Sequence, residues 1–179
     1  MVIDVSVSDP VSVRTASHGP RLLRPGVPAD AQAIAEFQTA SWREAYQGLV
    51  PQRYLDRVTV QDRAERWHHR LATGSRRVAV AEDDGVVVGV ASWGRVITPD
   101  VPPLELMSIY VAAELRGTGL AAELLHAAVG TSPAHLWVFA ENWRAQAFYA
   151  KHGFRHDGYR KLDRDTGLWE RRFVRRGAR

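Results

Sequence analysis

The chain has 179 residues, a formal charge of +4 and no cysteine, so it suits one domain with short tails and has no disulfide framework, thiolate zinc site or cysteine nucleophile. Its basic residues are almost all arginine, with lysine only at Lys151 and Lys161, and they are spread too evenly for the basic stripe of a nucleic-acid binder. No apolar run approaches the ~20 residues that span a bilayer and the start does not resemble a secretory signal, so a soluble, cytoplasmic protein is expected, with neither nucleic acid nor membrane as partner.

Residues 1–20 are rich in serine, proline and glycine and show no apolar face, which predicts a flexible leader before a domain over residues 21–179. Residues 21–24 predict a first strand, ended by Pro25, Gly26 and Pro28. From Ala29 the period becomes helical: Ala33, Ile34, Phe37, Ala40 and Ala45 recur at three- and four-residue spacing until Gly48 and Pro51. A second helix is predicted over residues 61–72, with Thr59 and Asp62 at capping-box spacing, Ala64, Trp67 and Leu71 on one side, and Gly74 at its end. Alternation then predicts strands over 77–81 and 86–93, joined by Asp83-Asp84-Gly85. A strand over 104–111, a helix over 119–129, a short strand over 136–140 and a helix over 143–152 follow. Residues 158–162 and 168–174 are expected to close as a hairpin around Asp165-Thr166-Gly167, and Arg171, Arg172, Arg175, Arg176 and Arg179 are expected to form a solvated strand edge and tail. The sum is a mixed α/β (α+β) single domain without repeats.

Arg116, Gly117, Thr118, Gly119, Leu120 and Ala121 follow a strand and open a helix. Helix N-termini offer unpaired N–H groups and partial positive charge, both suited to a pyrophosphate, and glycines let phosphates approach the amides. Leu120, Leu124, Ala127 and Ala128 are expected on the face against the sheet. No G-x-x-x-x-G-K-[ST] occurs. Gly117, Gly119 and Ala122 satisfy G-x-G-x-x-A, with Glu141 beyond the next strand, so a nicotinamide-dependent oxidoreductase is a competing reading. Against it, Ala112 to Arg116 separate the strand from the first glycine, and too little chain follows Glu141 for the further βα units.

The arrangement resembles the GNAT superfamily of N-acetyltransferases. Arg116, Gly119 and Ala121 match its Q/R-x-x-G-x-G/A cofactor signature. Asn142, Phe148-Tyr149 and Gly153-Phe154 match a second run of the family, and the segment SWREAYQGLVP (residues 41–51) is similar to that of many bacterial members. The resemblance spans roughly residues 20–175. It implies a mostly antiparallel sheet splayed between its fourth and fifth strands and flanked by helices. It also implies acetyl-CoA as cosubstrate, with pantetheine along Ile109, Tyr110 and Val111, pyrophosphate on Gly117 to Ala121, and Asn142 near the arm. No metal is implied. Members often dimerise, but no residue here shows it.

An attacking amine must be neutral, yet an alkyl ammonium loses its proton only near pH ~10.4, so a general base or a water chain to one is expected. Glu105 stands six residues before Val111, where histone-type members of the family carry their general base. On a strand, residues 105, 107, 109 and 111 share a face unless a bulge intervenes. Glu141 is the reserve candidate, and a glutamate five residues before the asparagine, used in another branch, is replaced here by Trp137. Tyr149, on the inward face of its helix with Ala145, Phe148 and His152, is expected to protonate the departing thiolate, because a phenol keeps its proton at neutral pH. Asn142 is expected to fix the helix start. Trp42, Glu44 and Tyr46 lie in the segment that covers the acceptor side in the family and suit a cationic amine. The expected partner is therefore an amine, either a small molecule or on a protein. A non-catalytic acyl-CoA sensor would keep the turn but tolerate loss of Tyr149 and Glu105, and both are present.

Overall fold

A computed structural model describes residues 21–46 and 59–177. The predicted leader, the helix-ending Gly48 and Pro51, residues 47–51 of the bacterial-type segment, and Arg179 lie outside the described residues. In chain order the elements are β1 (Leu22–Pro25), α1 (Ala31–Tyr46), α2 (Val60–Thr73), β2 (Arg77–Asp83), β3 (Val86–Arg95), β4 (Leu104–Val111), α3 (Leu120–Val129), β5 (Ala134–Phe139), α4 (Trp143–Lys151), β6 (Arg155–Leu162) and β7 (Trp169–Arg175). Single turns of 3-10 helix precede α1 and follow β4.

Local chemistry accounts for most boundaries. Thr59 caps α2: its hydroxyl accepts from the Asp62 amide at 3.0 Å, and Asp62 reaches back to the Thr59 amide. Gly74 ends the helix at φ +66°, a conformation that costs glycine little. Thr59→Ala is expected to destabilise the domain by about 1 kcal/mol, measured by urea unfolding. Asp84 and Gly85 both have positive φ, which matches the twist of the β2–β3 hairpin.

The seven strands form one sheet in the order β1-β2-β3-β4-β5-β7-β6. Neighbours run antiparallel except β4 and β5, the parallel pair among the described strands. This topology sets aside the dinucleotide reading, which needs consecutive parallel βα units. Strict alternation along β2 sorts its residues by layer. Val78 and Val80 join Ile34, Ala35 and Trp67 of α1 and α2, while Ala79 and Ala81 turn to the α3/α4 layer with Leu120, Leu124 and Tyr149. Gly89 of β3 lets α3 come close, since a Cβ there would lie 2.9 Å from Leu124 Cδ1. On the helices, Ala33, Ala40 and Ala127 are exposed, so the predicted faces are narrower than the alanine spacing suggested.

Two features of β4 position the site. The β3–β4 register passes from Ser92↔Ser108 to Trp93↔Leu106, leaving Met107 as a bulge. Leu106, Ile109 and Val111 therefore all enter the α3/α4 core, and Glu105 falls on the opposite face from Ile109 and Val111 rather than beside them. The β4–β5 pairing consists of Glu105↔His135 and Leu106↔Leu136, so from Met107 onward the two strands diverge. This is the splay expected between the fourth and fifth strands.

Candidate active site

Past the splay, Leu115 ends a 3-10 turn and the chain bends through Gly117 (φ +80°) and Gly119 (φ +97°) into α3. The helix closes its first turn with Ala122 donating to the Gly119 carbonyl at 2.8 Å, so the preceding amides sit at a helix start, where anions are favoured. A cavity of about 230 Å³ opens at this point, lined by Val111, Arg116, Gly117, Gly119 and Ala121 from the predicted cofactor set, together with Leu115, Ala122, Phe148, Lys151 and His152. Of the remaining cofactor candidates, Ile109 and Leu120 are core, and Tyr110 packs with Trp42, Tyr46 and Phe139. The Thr118 hydroxyl donates to the Leu115 carbonyl. Asn142 accepts from the Ala145 amide at 3.0 Å and caps α4, the helix-start role expected of it. The Arg116 amide donates to Ala113, and its guanidinium meets Glu44 at 2.9 Å, which ties α1 to the turn.

Tyr149 has no solvent exposure and belongs to the same buried core as Leu106, Ile109, Leu136 and Val138, residues of both diverging strands. Its hydroxyl has no hydrogen-bond partner among the described residues. Burial, followed by the nearby Tyr46 and Tyr110 phenols, pushes its ionisation well above the ordinary phenol range. On the other face of β4, Glu105 Oε2 lies 3.3 Å from Nε2 of the fully buried His135, out of line for a directed bond. Burial pushes the Glu105 carboxyl up, and the contact with His135 more than offsets this, holding it below the usual carboxylate range.

This geometry agrees with comparisons to known proteins. A profile of the acetyltransferase (GNAT) domain matches residues 74–156. An uncharacterized N-acetyltransferase of Mycobacterium tuberculosis is 32% identical over 118 residues, covering 63% of this chain and 74% of the relative. The chain belongs to the GNAT superfamily of N-acetyltransferases. It is thus an acyltransferase. The fold matches that of PaiA N-acetyltransferase from Thermoplasma acidophilum in complex with coenzyme A, with a TM-score of 0.66, 17% identity, and 86% and 98% of the two chains covered. YncA from Salmonella typhimurium with acetyl-CoA gives a TM-score of 0.64 and 20% identity, with 90% and 96% covered. Among the described residues no helix is long and apolar enough to cross a membrane.

Within this GNAT domain, the acceptor candidates are not alike. Trp42 and Tyr46 are each 2% exposed, stacked at 4.6 Å, with Tyr46 edge-on to Phe139 at 5.3 Å. Glu44 is half exposed and paired with Arg116. Glu141 is exposed just ahead of α4. Three residues were missed by sequence reasoning. His135 lies in a strand with no motif around it, and only the β4–β5 register brings it to Glu105. Lys151 and His152 end α4, and their place in the cavity depends on how that helix meets α3. Burial, then the Lys151 and Arg175 charges, hold the His152 imidazole below its ordinary range, so at neutral pH the cavity's cationic lining comes from Lys151 and Arg116.

Proposed function

We propose that the enzyme transfers the acetyl group of acetyl-CoA to a primary amine by direct attack within a ternary complex. The turn at Gly117, Thr118, Gly119, Leu120 and Ala121 receives the pyrophosphate, with Arg116 at its edge. Pantetheine runs along Ile109, Tyr110 and Val111, whose edge toward β5 is left without a strand partner by the splay, and Asn142 holds the start of α4 beside it. Coenzyme A and acetyl-CoA in the two structural relatives support this cosubstrate. Glu105 accepts the amine proton, and Tyr149 gives its proton to the departing thiolate. Trp42, Glu44 and Tyr46 belong to the acceptor side, where the buried rings shape the wall and Glu44 supplies charge.

The observation that carries this reading is the buried Tyr149 hydroxyl, unpartnered among the described residues, on a side chain that shares its core with residues of both diverging strands. A polar atom kept dry without a partner costs about 1–3 kcal/mol, and a ligand sulfur in the splay supplies one. Calorimetric titration with acetyl-CoA, CoA and NADH side by side tests the site, followed by an amine panel with acetyl-CoA. Binding of the CoA forms but not NADH is expected, and failure of both CoA forms to bind would overturn the reading.

Lys151 adds an exposed cation to the phosphate end. Lys151→Ala is expected to weaken acetyl-CoA binding by at most about five-fold, in line with exposed charge contacts of roughly 0.2–1 kcal/mol. The difference should shrink at high salt. Titrations at low and high ionic strength check both points.

A further inference from the structure

Glu105 and His135 face each other across one of the two residue pairs that join β4 to β5. The surroundings of the imidazole decide where its hydrogens are. His135 has no solvent exposure. Its Nδ1 lies 2.7 Å from the Pro102 carbonyl oxygen, which can only accept, so Nδ1 carries a hydrogen. In a neutral ring Nε2 would then be bare, with Glu105 Oε2 3.3 Å away and no solvent exposure of the ring. Two acceptors at that distance repel each other, and a buried nitrogen with no donor or acceptor is costly. No well-aligned partner for Nε2 exists among the described residues. A hydrogen on Nε2 instead makes the contact an attraction between an imidazolium and a carboxylate.

We propose that His135 is the positioning residue of Glu105: it carries a hydrogen on both ring nitrogens and holds the carboxylate by Oε2, leaving Oε1 for the acceptor's ammonium group. This rests on Glu105 being the proton acceptor. The Glu105 side chain is 19% exposed, and its contact with His135 runs through Oε2, which leaves Oε1 as the oxygen without that contact. Among the described residues, the other charged groups acting on Glu105 are Arg76, just ahead of β2, and Lys161 on β6. Both reinforce ionisation, but neither contacts Oε2 as closely as His135 does. In the reaction the acceptor's N–H bond breaks and an O–H bond forms at Oε1, while Nε2–H stays in place. The pair thus gains one proton and returns it to water before the next cycle.

Ring-nitrogen NMR of the full chain labelled with nitrogen-15 histidine tests the pairing without reference to activity. At neutral pH both His135 nitrogens should resonate as protonated. In Glu105→Gln the ring should become neutral, with a bare Nε2 accepting from the glutamine amide. A wild-type ring with bare Nε2 would overturn the pairing, and that spectrum decides the point even if a variant at the buried position 135 does not fold. In kinetics, His135→Gln should move the acid limb of kcat/KM to higher pH, because the carboxyl loses the partner that held it ionised, while the Kd for acetyl-CoA stays unchanged. An unmoved limb would overturn the positioning role. Full turnover by Glu105→Gln would instead remove the proton-acceptor reading on which the role rests.

Discussion

Tyr149→Phe is expected to lower kcat by about a hundred-fold or more while leaving the protein at least as stable as the wild type. Loss of a positioned general acid typically costs 10²–10⁴-fold in rate. The phenol suits that task because burial, then Tyr46 and Tyr110, push its ionisation well above the ordinary range. It therefore keeps its proton throughout the working range, and no loss of activity up to about pH 10 should trace to it. The stability half follows from the same burial. The ring makes edge contacts with Phe148 at 5.2 Å and Phe154 at 5.8 Å, and phenylalanine preserves both. The hydroxyl has no partner among the described residues, so deleting it removes a penalty of roughly 1–3 kcal/mol. Saturation kinetics and thermal unfolding of the same preparation check the two halves. Unchanged kcat would assign the thiolate's proton to another donor, whereas a marked fall in Tm would mean that the hydroxyl is bonded in the folded protein.

Gly119→Ala is the second large effect, expected on binding rather than turnover. Gly119 has φ +97° at the start of α3, a region that L side chains rarely enter, and holding one there costs about 1–3 kcal/mol. The added Cβ would not clash with the protein, since its nearest contact is Glu123 Oε1 at 4.0 Å. It would instead project into the open space before the amides, where the pyrophosphate is proposed to sit. Strain and obstruction together should weaken acetyl-CoA binding by about ten- to a hundred-fold, taking ~1.4 kcal/mol per factor of ten. Gly74→Ala is the control: its φ is +66° with nothing near a Cβ, but it ends α2, far along the chain from the turn. Both variants should lose stability, and only Gly119→Ala should lose affinity, as read by calorimetry. Equal affinities in the two would remove the turn from the cofactor site.

Much of the architecture was legible from local rules. The order of strands and helices, the Thr59 cap, the Gly74 stop and the Asp84-Gly85 turn each follow from chemistry within four residues. So does the glycine turn before α3, because positive φ at Gly117 and Gly119 is a local property of glycine. Strand β6 was read short, from 158 rather than Arg155, because it is an edge strand with nearly every side chain exposed and so carries no alternation to read. The spacing of Asn142 and Tyr149 placed both on α4, but only packing showed that the Tyr149 hydroxyl is dry and unpartnered.

What the sequence by itself determined was therefore the set of elements, the glycine turn before α3 and the family. The tertiary structure decided which side chains share a space. One extra residue at Met107 put Glu105 on the opposite face from Ile109 and Val111, because side-chain direction alternates with every residue and a bulge resets the phase. The register of a parallel pair set His135 against Glu105 across about thirty intervening positions. The meeting of α4 with α3 brought Lys151 and His152 to the turn. Such contacts arise from long-range packing, in which each position depends on many distant residues, and no local pattern in the chain records them.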